Sequence, residues 1–240
     1  MTVVISRCPS SPEAVYEALM VATLRRGGSI LMGEWGSSLV VAHGPPYPSL
    51  RYGSRRVATL RVQEAGNVCR VEGILEQRYG DYYGAIGSAL ALSAPFLAAL
   101  APPLGATTGI LSALLTAYSL FSSRIDVNWL SSLIEEACEY SPEFEENART
   151  GTACRLECGV RRGRVECILE PVDSDEYLLL AFSLIGFRAT EGEVTNGAIR
   201  VSYSCEGRKC RLFYEPAFLA PPTTPESAAL ITTLLARVLC

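Results

Sequence analysis

From Tyr82 to Ser123 the chain carries no charged side chain for 42 residues, a gap bounded by Asp81 and Arg124 and broken only by Ala101-Pro102-Pro103-Leu104-Gly105. Crossing roughly 30 Å of hydrocarbon takes about 20 apolar residues per helix, with about 17 as the lower limit. Gly84–Ala101 and Leu104–Phe121 supply 18 residues each. The spacing therefore predicts two helices joined by a tight turn, a transmembrane-type hairpin. The competing expectation is a hairpin buried in protein or docked between copies. Buried helices of soluble proteins normally keep a polar face, and two helices without any charge would need a large core around them. Pro95 is expected to kink the first helix about halfway along. Gly105 and Gly109 form a small-xxx-small pattern that lets helices approach closely. Tyr82, Tyr83 and Tyr118 fall near the ends, where interfacial aromatics gather.

A hairpin returns the chain to its starting side, so residues 1–81 and 124–240 must share one compartment. Arg78 and Arg124 flank the two crossings, while the turn at Pro102-Pro103 is uncharged. Positive residues mark the cytoplasmic side, so both domains are expected in the cytoplasm. Thr2-Val-Val-Ile-Ser6 reads as a strand with no basic or apolar leader pattern, so no cleavable signal peptide is expected.

With 240 residues, 49% hydrophobic content and a net charge of −4, the chain is globular in class. It has room for two domains of about 100 residues plus the insertion. Residues 1–80 carry +3 and residues 124–240 carry −6. Neither has the basic excess of a nucleic-acid binder. The expected partner is a lipid bilayer, with homo-oligomers or other proteins as further ones. Of 21 basic residues only Lys209 is lysine, a bias that GC-rich coding produces by itself. Nine cysteines are unusual in a reducing cytosol but fit the disulfide-rich intracellular proteins of hyperthermophiles. Arg and Cys usage together suggest a hyperthermophilic archaeal source.

The first unit reads as strand Thr2–Arg7, a helix opened by Ser11-Pro12-Glu13 and stopped at Gly27-Gly28, and strands Ser29–Trp35, Ser38–His43, Arg56–Val62 and Val68–Gln77. After the apolar hairpin, Ile125–Tyr140 reads as an amphipathic helix. An acidic linker, residues 141–150, leads to Thr152–Val160 and Arg164–Pro171, a helix from Ser174 to Gly186, strands Phe187–Val194, Ala198–Cys205 and Cys210–Glu215, and a last helix from Thr224-Pro225-Glu226. The fold class is α+β: two small antiparallel-sheet-plus-helix domains, 1–81 plus 124–140 and 151–240, with the hairpin inserted in the first. Arg70-Val-Glu-Gly-Ile-Leu-Glu-Gln77 recurs as Arg164-Val-Glu-Cys-Ile-Leu-Glu-Pro171. A strand–helix–strand series also fits both Val3–Met32 and Val165–Thr190. Both matches suggest duplication. In the order of elements over residues 2–77 and 125–140, the first half resembles small helix-grip domains of the START-like type. That resemblance implies a sheet wrapped around its closing helix and an apolar-ligand cavity between them. The inserted hairpin departs from the family pattern, and no family motif carries functional residues over.

Cys158 and Cys167 should face each other across the Arg161-Arg162-Gly163-Arg164 turn, and Cys205 and Cys210 across Glu206-Gly-Arg-Lys209. Directly opposed cysteines in an antiparallel pair meet disulfide spacing. A four-cysteine zinc site from Cys154, Cys158, Cys205 and Cys210 is the alternative, but x3 and x4 spacings on strands are not zinc knuckles. Cys8, Cys69, Cys138 and Cys240 have no readable partner. His43 is the only histidine and reads as a strand-end residue, which excludes multi-histidine metal sites. Phosphate-loop and dinucleotide fingerprints are absent from the sequence. No catalytic residues, metal ligands or cofactor are therefore assigned. Arg25-Arg26, Arg55-Arg56 and Arg161-Arg162 read as solvated turn residues. With Arg78 and Arg124, Arg55 and Arg56 are also candidates for contact with anionic headgroups. Glu135, Glu136, Glu139, Glu143, Glu145 and Glu146 read as a solvated acidic run. The functional expectation is a membrane-anchored, non-enzymatic scaffold or accessory subunit. The alternatives are a helix-grip-type binder of lipid or another apolar ligand at the membrane, and a self-assembling structural protein.

Overall fold

Period-2 alternation of apolar residues builds two antiparallel sheets, and helices cover them, giving an α+β fold. The structure, a computed structural model, describes residues 2–44, 56–66, 68–77, 81–147, 154–161, 163–190, 192–217, 220 and 222–239. The first sheet contains β1 (Thr2–Cys8), β2 (Ser29–Glu34), β3 (Ser38–His43), β4 (Arg56–Ala65) and β5 (Val68–Gln77) in the order β1-β5-β4-β3-β2. Helix α1 (Pro12–Arg25) follows β1. The second sheet contains β6 (Arg155–Arg161), β7 (Arg164–Glu170), β8 (Arg188–Thr190), β9 (Glu193–Thr195), β10 (Ile199–Glu206) and β11 (Lys209–Pro216) in the order β6-β7-β11-β10-β9-β8. Helix α4 (Asp175–Leu184) follows β7, and α5 (Pro225–Leu239) follows β11. Between β5 and β6 run α2 (Asp81–Leu100) and α3 (Pro102–Asn147).

Two expected boundaries move. The strand expected over Phe187–Val194 is divided into β8 and β9, with Gly192 between them at φ 75°. That left-handed conformation costs glycine little. The second arm of the apolar hairpin, the closing helix expected over Ile125–Tyr140 and residues 141–147 of the expected linker are one helix, α3, of 46 residues. Residues 148–150 of that linker lie outside the described residues.

Ser11 caps α1 by accepting a hydrogen bond from the Ala14 N–H, which satisfies one orphan donor of the first turn. Every residue from Ala14 to Leu24 is buried, so α1 is a central helix rather than an amphipathic one. The first sheet and α3 both pack against it. Gly73 on β5 lets α3 lie flush on the sheet: a Cβ there would stand 2.9 Å from Ile134 Cδ1 and 3.1 Å from Leu130 Cδ2.

Buried residues of both halves, such as Leu60, Val71 and Ile134 with Leu169, Phe182 and Leu234, belong to one continuous cluster. Polar ties cross between the halves as well. Asn196 Nδ2 donates to the carbonyls of Leu24 (3.1 Å) and Gly28 (2.9 Å), while its Oδ1 accepts from the Ala198 and Ile199 N–H groups. Arg25 Nη2 donates to the Leu184 carbonyl at 3.0 Å. Arg237 of α5 reaches Glu13 and Glu17 of α1 and lies 5.4 Å above the Trp35 ring.

Glu17 is only 3% exposed. Its Oε1 lies 2.6 Å from Arg237 Nη1 but off the hydrogen-bonding direction. Burial pushes the Glu17 carboxyl up to about 7 from 4.5; Arg237 opposes the shift and Glu13 adds to it. The native carboxyl therefore holds its proton more tightly than the unfolded one. Its contribution to stability is full below about pH 4.5 and is lost as pH rises through about 7. At about 1.4 kcal/mol per pH unit, that loss is at most about 3 kcal/mol. Glu17→Gln is expected to flatten it: the difference in unfolding free energy between pH 5 and pH 8 should shrink relative to the unsubstituted chain. An unchanged pH profile would show that Glu17 does not titrate in this window.

Candidate membrane anchor and the polar cluster at its base

Helices α2 and α3 leave the body together as an antiparallel pair. Two stretches are long and apolar enough to cross a membrane by length and composition: Tyr83–Leu100, mean hydropathy 1.6, and Pro102–Ser141, mean hydropathy 1.4 over its best window. Only 11% of each window is buried, so the hairpin does not lie in the protein's own interior. Leu92, Phe96, Leu100, Ile110, Leu114, Leu120 and Phe121 are each between 63% and 84% exposed.

The turn between the helices is a single residue. Ala101 donates to the Leu97 carbonyl, and its own carbonyl accepts from Leu104 and Gly105. Pro102 and Pro103 open α3, where a missing N–H leaves no helical bond unmade. Pro95, where a kink is expected, lies inside α2, which is helical from Asp81 to Leu100.

Small residues form the seam. A Cβ on Gly84 would stand 2.7 Å from Ser119 Oγ, and one on Gly87 would stand 2.6 Å from Thr116 Oγ1. A Cβ on Gly105 would collide with Ala98. Gly109 has open space around its Cβ position, so of the Gly105/Gly109 pair only Gly105 belongs to the seam. Ser112 Oγ, buried at the contact, donates to the Gly87 carbonyl at 2.7 Å. The hydroxyls of Ser88, Ser93, Thr107, Thr108 and Ser122 donate to carbonyls three or four residues earlier in their own helices. Close approach through glycine, with hydroxyls satisfied without water, is how helices pack where no water competes. At the open end of the hairpin the Tyr83 and Tyr118 rings meet edge to face, 5.0 Å apart.

Just beyond Tyr118, α3 turns from apolar to polar and enters the body. Arg124 is exposed there. Asp126 is fully buried, and its Oδ1 accepts from Arg56 Nε of β4 at 2.7 Å. The Arg56 side chain is only 13% exposed and lies 5.6 Å above the Trp129 ring. Arg56, named above as a headgroup candidate, is thus held against Asp126 and Trp129 with little of its side chain exposed. The physical reason is the carboxylate of Asp126, which the fold brings beneath the β4 strand. Arg55 and Arg78, the other candidates, lie outside the described residues. His43 sits on the same cluster, its ring 5.9 Å from that of Trp129. Burial, more than the nearby Arg56 and Arg26 charges, lowers its pKa, so it is neutral at pH 7. One turn further along α3, Arg26 bonds Glu136, Ser132 Oγ and the Ser132 carbonyl. Arg25 lies 5.2 Å above the Tyr140 ring. Arg25 stays exposed while it reaches α4 and Tyr140, and half-buried Arg26 ties the end of α1 to α3.

Cys158–Cys167 and Cys205–Cys210 pair as disulfides at directly opposed positions of their hairpins. Cys154 is disulfide-bonded as well. Those bonds use the sulfurs that the alternative zinc site would need. Asp175, Cys205 and Cys210 do lie within 4.8 Å of one another, but the two sulfurs are bonded to each other and offer no thiolate. A further disulfide, Cys8–Cys138, joins the end of β1 to α3 across 130 residues of sequence, a pairing with no local signature.

No family model and no curated protein matches this chain. Among solved structures, the crystal structure of DynU16, from the dynemicin biosynthetic locus, aligns over 99% of this chain and 95% of its own at 9% identity, with a TM-score of 0.27. A likeness that faint carries no argument.

Proposed function

We propose that this protein is a membrane-anchored, non-enzymatic scaffold or accessory subunit, held on the cytoplasmic side of a bilayer by the α2–α3 hairpin. The observation that carries the reading is the inside-out polarity of that hairpin. Gly84, Gly87, Gly105 and Ser112 meet the facing helix along the seam, and Leu92, Phe96, Ile110, Leu114 and Leu120 point outward. Each helix of the pair spans about 27 Å over 18 residues at about 1.5 Å per residue, close to the hydrocarbon thickness. Exposed Arg124 at the base fits the interface on the positive side.

The strand order of the two sheets supports the same reading. Strands β1-β5-β4-β3-β2 and β7-β11-β10-β9-β8 follow one order, each with a helix after its first strand and a helix after its last. We infer one unit repeated twice, with β6 added at an edge. In this correspondence Val3–Met32 matches Val165–Thr190, whereas the Arg70–Gln77 and Arg164–Pro171 resemblance joins strands that occupy different places. In the second unit, residues 217–224 suffice to connect the last strand to the closing helix. The fold therefore does not need the hairpin in order to close, and an addition that the fold does not need is read as serving function.

The helix-grip reading as a lipid carrier has less support, because α3 rests directly on Gly73 where such a cavity would open. The experiment is fractionation of the tagged chain. It should sediment with membranes and resist extraction at alkaline pH. Recovery as a soluble monomer would overturn the anchor, and water-soluble regular oligomers would favour the self-assembling alternative.

A further inference from the structure

Three cysteines meet where β1, β5 and α3 come together. Cys8 is bonded to Cys138 of α3. In the sheet, however, the residue directly opposite Cys8 is Cys69, a buried free thiol. The two disulfides within the second sheet, Cys158–Cys167 and Cys205–Cys210, occupy this same directly opposed relation. Cys8 and Cys69 are both 0% exposed and share the inner face of the sheet. Cys8 thus has two partners in place, one on the helix and one on the neighbouring strand.

We infer that Cys8 exchanges its disulfide between Cys138 and Cys69, a redox-neutral switch that clamps α3 to the first sheet or releases it. In the step, the Cys69 thiol gives up its proton and the thiolate attacks Cys8 Sγ. The Cys8–Cys69 bond forms as the Cys8–Cys138 bond breaks, and the departing electron pair rests on Cys138 Sγ, which takes up a proton. One disulfide and one thiol are present before and after, so no oxidant or reductant is needed. The junction is placed for it: Cys8 is the last residue of β1, and Cys69 lies three residues past Gly66 in the β4–β5 turn, where local opening costs least. Burial raises the Cys69 thiol above its ordinary pKa, which keeps the exchange slow in the closed protein and makes it faster at alkaline pH. The consequence reaches the hairpin, because Cys138 is on the same helix as its second arm. The Ser10–Ser141 hydrogen bond, 2.8 Å between the hydroxyls, would remain at this end, with the Arg25 and Arg26 contacts beside it. The switch does not depend on whether the hairpin lies in lipid.

The test is disulfide mapping of the full chain in detergent, with thiols trapped in acid before digestion. At pH 6 the Cys8–Cys138 peptide and an unmodified Cys69 are expected. After incubation at pH 9 in sub-denaturing urea, a Cys8–Cys69 peptide should appear together with an alkylatable Cys138. Cys69→Ala should hold only the original bond under the same conditions. As an independent readout, Cys138→Ser oxidised with glutathione disulfide should form Cys8–Cys69. If the chain shows only the original bond after prolonged incubation, or if folded Cys138→Ser carries glutathione on Cys8 without a Cys8–Cys69 bond, the switch is refuted.

Discussion

Replacing residues 82–121 with an eight-residue connection copied from 217–224 should leave the chain in the soluble fraction without unfolding its body. The second half closes its own sheet and helix through a connection of that length, and the part of α3 that packs on the first sheet begins near Asp126. The outward side chains removed include Leu92, Phe96, Leu100, Ile110, Leu114 and Leu120, each at least 63% exposed. At about 25 cal/mol per Å² of apolar area, taking such surfaces out of lipid into water is prohibitive. The expected outcome is a monomer in the soluble fraction, with the circular dichroism of a folded α+β protein. A shortened chain that still sediments with membranes would locate the anchor elsewhere. One that is soluble but unfolded would mean that the hairpin supports the body as well.

Arg56→Ala should destabilise the body by about 1.5–3 kcal/mol, the usual effect of removing a hydrogen bond to a charged group in the interior. Asp126 is fully buried, and Arg56 covers it from β4 while resting on Trp129. Arg124→Ala, two residues from Asp126 but exposed, should stay within about 0.5 kcal/mol. Guanidinium unfolding of both variants in the same detergent checks the contrast. Equal, small effects would return Arg56 to the surface role its sequence suggests.

That contrast also marks where sequence reading stops. The α+β class, the helix after Ser11-Pro12-Glu13 and both hairpin disulfides were legible, because each rests on neighbours in the chain: a cap, an alternation, a turn of known length. The apolar hairpin was legible because 42 residues without charge have few other uses. The continuity of α3 was hidden by its change of polarity at Arg124, although no glycine or proline interrupts the chain from Ile110 to Ser141. The Arg56–Asp126 pair spans 70 residues of sequence and Cys8–Cys138 spans 130. No local rule links such positions, because only the packing of α3 on the sheet brings them together. For the same reason Cys69 reads in sequence as one more unassigned thiol.

Because α3 runs unbroken for 46 residues, about 69 Å at about 1.5 Å per residue, it is one long beam whose Asp126–Ser141 portion is fixed in the body. With one end set in a bilayer, the body could not swivel independently. Its two sheets would be presented at one height and one attitude, and any lean of the beam would be delivered to them undiminished. A partner arriving along the membrane would therefore meet a surface already aimed.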